Sequence, residues 1–231
     1  MSMLPRVCVV LVCLAGEGLA GNVTGRLDLP APPERPPVAQ RGFLDRTENP
    51  LTPVRPVNVG PNLVAVLEGE AKPQAPGQVR WELGGDAFGK PLLVVPMGAE
   101  VLITNTSGMP RTLVALEDPK LIAQGAITPG ATKSFRAAEP KLYTITDKDV
   151  PHLRGRVLVV PTPYFAMVEV SGSKNEHGTF QIADVAEGSY KLRLFYKDGW
   201  IDRPDELVTI AAAKRNVEVP VKVPPGFPLR K

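Results

Sequence analysis

Between Leu63 and Val160 the chain is a succession of short apolar runs, each cut off by Gly, Pro or Asn. Leu63–Leu67 (LVAVL), Leu92–Val95, Val101–Thr104, Thr112–Leu116, Thr132–Phe135, Leu142–Thr146 and Val157–Val160 are four or five residues long and rich in Val, Leu, Ile and Thr. Runs of that length and composition, bounded by turn residues, read as strands. In Val79–Leu83 (VRWEL) the alternation is strict, so Val79, Trp81 and Leu83 share one face. Turns fall at Pro73–Gly77, Pro96–Gly98 and Thr128–Gly130. Many short strands with turn signals between them predict an all-β sandwich.

Further strands are expected on either side. Gly21–Leu29 alternates around Gly25 and reads as an opening edge strand. Residues 30–61 hold nine prolines and little periodicity, which predicts an extended, polyproline-like connection lying along the sandwich, or else a linker. Pro161-Thr162-Pro163 is the clearest domain boundary. Beyond it Phe165–Val170, Thr179–Ile182, Tyr190–Tyr196, Leu207–Ile210 and Val217–Val223 read as five more strands. The expected organisation is therefore a leader at 1–20, an N-terminal strand and Pro-rich connection at 21–62, and a first sandwich at 63–160. A smaller second sandwich at 164–223 and a Pro-rich tail at 224–231 follow.

Composition changes this picture in two places. Residues 1–20 carry a basic start at Arg6, an apolar stretch Val7–Ala15 and the small-residue site Gly18-Leu19-Ala20. That is the pattern of a secretory signal peptide cut before Gly21, the alternative being a retained N-terminal anchor. Both cysteines, Cys8 and Cys13, lie inside it, so the exported chain is expected to lack thiols and disulfides. A cysteine-free exported chain suits a bacterial envelope, and the localisation expected is periplasmic or secreted. No later run reaches the roughly 20 apolar residues of a membrane span. Charges are interspersed at a net +3, with no basic run interleaved with aromatics, which argues against nucleic acid as a partner. Sequons occur at Asn22 and Asn105 and carry no weight in a bacterial protein.

The segment 63–160 resembles the cupredoxin family, in particular plastocyanin-like domains. The marks are Leu92–Val95 leading into Pro96-Met97-Gly98, a strand ending at Asn105, the turn Thr128-Pro129-Gly130 before Phe135, and Tyr143 ahead of Val157–Val160. The resemblance implies a Greek-key β-sandwich. It breaks at the copper ligands. Where the family carries His, Cys, His and Met, this chain has Arg111, Asp147, Val150 and Leu153. A blue-copper site needs a thiolate and two imidazoles, and Arg cannot ligate. No cofactor is expected. The segment from Tyr164 on resembles a carboxypeptidase regulatory-like module, on Gly178-x-Phe180-x-Ile182 followed by Asp184-Val185-x-Glu187-Gly188-x-Tyr190-x-Leu192. That resemblance implies a hairpin turning at Glu187-Gly188, with Phe180, Ile182, Tyr190 and Leu192 facing one core. Secreted bacterial envelope proteins join two such modules in this order.

Candidate chemistry is sparse. Asp147, Asp149 and His152 form the one cluster of metal-ligand types, at the place of the lost copper loop. The only other histidine, His177, reads as a turn residue, and no serine sits in a nucleophile elbow. The function expected is a non-catalytic binding or assembly module whose partner is another envelope or extracellular protein. The alternative is a periplasmic metal-binding protein using Asp147, Asp149 and His152. The short connector predicts a rigid joint between modules, with Tyr164 and Phe165 in the interface.

Overall fold

A computed structural model describes residues 20–29, 60–69, 77–171, 177–204, 206–211 and 216–223. The leader, the Pro-rich connection and the tail expected from the sequence lie outside the described residues. β1 (Gly21–Asp28) and β2 (Leu63–Gly69) come first, with a 3-10 turn at Gly60–Asn62 before β2. Eight strands follow: β3 (Gln78–Gly84), β4 (Ala87–Phe88), β5 (Leu92–Pro96), β6 (Glu100–Asn105), β7 (Leu113–Ala115), β8 (Thr132–Arg136), β9 (Leu142–Asp147) and β10 (Arg154–Val160). The last group is β11 (Phe165–Met167), β12 (Glu169–Ser171), β13 (His177–Val185), β14 (Gly188–Tyr196), β15 (Gly199–Trp200), β16 (Glu206–Ile210) and β17 (Asn216–Lys222). The all-β expectation is met.

Four sheets stack in four layers. The first has the order β12-β13-β1-β17; the second joins β11, β2 and β14, with β15 and β16 both on the far edge of β14; the third is β5-β10-β9-β7; the fourth is β4-β3-β6-β8. Between the third and fourth sheets lies one core, where Trp81, Leu83, Val101, Ile103 and Phe135 meet Leu93, Val95, Tyr143, Ile145, Val157 and Val159. Between the first and second lies another, built on Val23, Leu27, Leu63, Leu67, Phe180, Ile182, Tyr190 and Leu192. Each set recurs with period two, as residues on one face of a strand must.

A third apolar layer joins the sandwiches. Val64 and Val66 of β2 and Phe195 of β14 pack against Leu92 and Val94 of β5 and Leu158 and Val160 of β10. This explains why LVAVL, LLVV and VLVV show no alternation: a strand covered on both faces is apolar throughout. Polar contacts fasten the rim. Arg156 pairs with Asp198 and donates to Asn62 Oδ1 at 2.9 Å. Arg193 lies 4.1 Å over the Trp200 ring while bonding Glu68.

Three expectations need correction. β2, assigned by sequence to the first sandwich, pairs instead with β11 and β14 of the second. The second module is therefore discontinuous, made from β1, β2 and the C-terminal strands, with 77–160 inserted between them. β1 is not an edge strand, since it lies between β13, antiparallel, and β17, parallel. The expected β13–β14 hairpin is an arch. All four of its apolar residues face one core, but β13 belongs to the first sheet and β14 to the second. Two tyrosines hold the arch: Tyr190 Oη donates to the Ala186 carbonyl at 2.9 Å, and the Ala186 N–H donates to Tyr164 Oη at 3.2 Å.

The connector behaves as a joint between neighbours in contact. The Leu67 N–H donates to the Tyr164 carbonyl at 2.9 Å, tying the chain to β2 as soon as it leaves Pro163. Phe165 is half-buried against the inter-sandwich layer. Tyr164 turns the other way, into the second core, where it meets Tyr190 edge-on at 5.6 Å. Of the two, Phe165 is thus the interface residue. Phe165→Ala is expected to destabilise the protein by about 1–3 kcal/mol, less than a fully buried ring, because Phe165 is only partly buried. Urea unfolding monitored by tryptophan fluorescence measures it, and an unchanged midpoint would contradict this placement.

Candidate functional site

One end of the first sandwich gathers every position that the family pattern would give to copper. It is formed by the β3–β4 turn, the segment from Asn105 to Thr112, and the loop from Asp147 to Leu153. Asn105, the last residue of β6, is its organiser and is fully buried. Its Oδ1 accepts from the Ser107 N–H at 2.9 Å and from Ser107 Oγ at 2.6 Å. Its Nδ2 donates to the Met109 and Ile127 carbonyls, both at 2.8 Å. A buried amide with both ends engaged can hold two loops in register. With Nδ2 so occupied, the sequon at Asn105 is closed to modification in the folded chain.

Arg111 follows. Its backbone exchanges both hydrogen bonds with Ile127, at 3.0 and 2.8 Å. The side chain is only 6% exposed; its Nη2 donates to the Gly85 carbonyl at 2.8 Å and to Asp86 Oδ1 at 3.0 Å. The guanidinium thus ties the β6–β7 segment to the turn of the opposite sheet. Its Nε is buried without a partner.

Asp147 ends β9 and lies opposite Leu113. Oδ1 accepts from the Asp149 and Val150 N–H groups at 2.8 and 3.2 Å. This short-range capture of two amides by a carboxylate makes a tight turn, a favoured use of Asp in a loop. Oδ2 is buried and unpartnered. Leu153 is fully buried in the first core, and Val150 packs on its rim. Where a metal site would present imidazole and thioether, this end presents two aliphatic side chains.

The structure therefore brings Arg111, Asp147, Val150 and Leu153 to one end, each in a packing or hydrogen-bonding role. It does not assemble the alternative metal set. Asp147 points inward while Asp149 and His152 are exposed. No group of three or more potential ligand side chains occurs among the described residues. Asn105 was visible in the sequence only as a strand end and a sequon; no local signal marks a buried amide with four bonds. Asn105→Ala removes four hydrogen bonds and leaves the buried Ser107 N–H without its acceptor, and is expected to cost about 2–3 kcal/mol in chemical denaturation. A loss under about 0.5 kcal/mol would show that the loops hold without it.

No protein-family model matches the chain, and no curated protein matches it. Solved structures similar to it are cupredoxins. They include a purple cupredoxin from Nitrosopumilus maritimus, at 19% identity over 32% of this chain and 81% of that one, with a TM-score of 0.29. A mutant plastocyanin of fern covers 36% of this chain and all of its own at 14% identity and a TM-score of 0.32. A reduced mutant of amicyanin covers 42% of this chain and 98% of its own at 19% identity and a TM-score of 0.33. Likeness of this degree carries no argument about copper or electron transfer here. No helix among the described residues is long and apolar enough to cross a membrane.

Proposed function

We propose that the chain is a non-catalytic binding or assembly module of the bacterial cell envelope, built on a copper-free cupredoxin-like sandwich. The observation that carries this reading is the occupied end of that sandwich. Arg111 is bonded into it, Asp147 is committed to a turn, and Leu153 is core. Each of these side chains has a packing or hydrogen-bonding role in closing that end. The second sandwich braces the first through the shared apolar layer. With no metal-ligand cluster among the described residues, the reading is of a body that acts by contact.

The signal-peptide pattern at 1–20 and the absence of later cysteines support export. The test is in-cell cross-linking followed by sizing of the envelope fraction. The chain is expected there in a discrete complex larger than the monomer, beginning near Gly21. A monomer carrying a stoichiometric metal, or protein retained in the cytoplasm, would overturn the proposal.

A further inference from the structure

Resting on the export part of that reading, we infer that the docking of β1 is a timing device for leader removal. The Ala20–Gly21 bond is open to a signal peptidase only until β1 is taken up by β13 and β17, and a chain that folds first keeps its leader. The strand starts at the junction itself. Ala20 is exposed, whereas Gly21 is buried and lies opposite Val185, which is fully buried. Asn22 lies opposite Asn216, and Val23 is fully buried in the second core. No spacer separates the cut from the sheet.

The cut is a hydrolysis. Water adds across the Ala20–Gly21 amide, leaving a carboxylate on Ala20 and an amine on Gly21. A peptidase has to hold the chain extended on both sides of that bond, and the residues that follow it are Gly21, Asn22 and Val23. In the folded chain they belong to a strand held on both flanks, antiparallel to β13 and parallel to β17. Fraying of Gly21 alone exposes the bond without freeing Val23. A folded substrate is cut only through its opened state, at a rate set by the population of that state. Opening here withdraws the strand that joins β13 to β17, together with the buried side chains of Val23 and Leu27.

Chain order supplies the window in which the bond is open. β1 is made first, and both strands that flank it come more than 140 residues later. At about 5–20 residues per second, the junction stands unpaired for roughly 7–30 s of synthesis before β13 exists. The same geometry gives one leader two fates: removal from chains cut inside the window, and retention as an N-terminal anchor by chains that fold before the cut.

The test uses the full chain with its leader, made by cell-free synthesis, and a purified bacterial signal peptidase in detergent micelles. The enzyme is present from the start in one reaction and added after folding in the other, and the new N-terminus is read by mass spectrometry. Early enzyme is expected to cut after Ala20, and late enzyme to cut about a hundredfold more slowly. Two variants are expected to abolish the difference. One inserts Gly-Ser-Gly-Ser-Gly between Ala20 and Gly21, moving the cut away from an intact β1. The other is Leu27→Asp, which places an unpaired carboxylate at a fully buried position and keeps β1 from docking while leaving the junction unchanged. Late cleavage of the unaltered chain as fast as early cleavage would overturn the device and leave the leader in place. Slow late cleavage that persists in the insertion variant would overturn it too, since the protection would then lie elsewhere than in β1. No cut after Ala20 under either condition would overturn the leader reading, and this inference with it.

Discussion

A chain shortened to begin at Leu29 is expected to lose its second sandwich. β1 carries Val23 and Leu27, both fully buried, into the core between the first two sheets. Fully burying such side chains is worth about 1.5–3 kcal/mol each, so the pair approaches the 5–15 kcal/mol of a typical domain. The ladders are lost as well, because β1 pairs along its length with β13 on one side and β17 on the other. Without it β17 has no partner left in its sheet. The first core shares no residue with the second, so a separate transition from that sandwich is expected to persist. Thermal melts followed by circular dichroism, with proteolytic mapping, test this. Rapid cleavage within 177–223 is the expected result, and a melt like that of the intact chain would refute the central placing of β1. A point version is Gly25→Ala, whose new Cβ would lie 2.1 Å from the Phe180 ring.

The second large effect is expected at Trp81. It is 1% exposed, stacks on Phe88 with centroids 4.0 Å apart, and donates Nε1–H to the Lys90 carbonyl at 3.0 Å. The rings fit because Gly155 lies beneath them; a Cβ there would be 2.4 Å from Trp81 and 2.5 Å from Phe88. Trp81→Ala removes the largest side chain of the first core and leaves a cavity that rigid strands cannot refill. Such losses cost about 3–5 kcal/mol. At about 2–4 °C per kcal/mol for a chain of this size, the melting temperature is expected to fall by about 6–20 °C. Calorimetry reads it directly, and a fall of under about 2 °C would mean that Trp81 is not the centre of that core.

Most strands were legible because period-two alternation and Gly or Pro punctuation are local signals. Trp81 and Leu83 share a face, as VRWEL requires. The unalternating runs held more than a strand assignment extracts from them. LVAVL, LLVV and VLVV are apolar on both faces because each lies in two cores, and that pattern already pointed to the layer between sandwiches. Pairing partners were not legible. Nothing in Gly21–Leu29 tells an edge strand from a central one, since the strands that flank it, β13 and β17, come more than 140 residues later. Nor does the spacing of Phe180, Ile182, Tyr190 and Leu192 separate a hairpin from an arch, because both point the four side chains into one core. At the candidate site, the identity of Arg111, Asp147, Val150 and Leu153 was readable. The bonds that bind Arg111 to Gly85 and Asp86 depend on a turn 25 residues away and were not.

The central claim is that this end of the first sandwich is closed by its own side chains and takes up no copper. Titration of the full exported chain with Cu(II), followed by dialysis and a visible spectrum, tests it most directly. The account predicts no intense charge-transfer band and no retained stoichiometric copper, since thiolate, imidazole pair and thioether are all replaced. A blue or green one-to-one species that survives dialysis would contradict it.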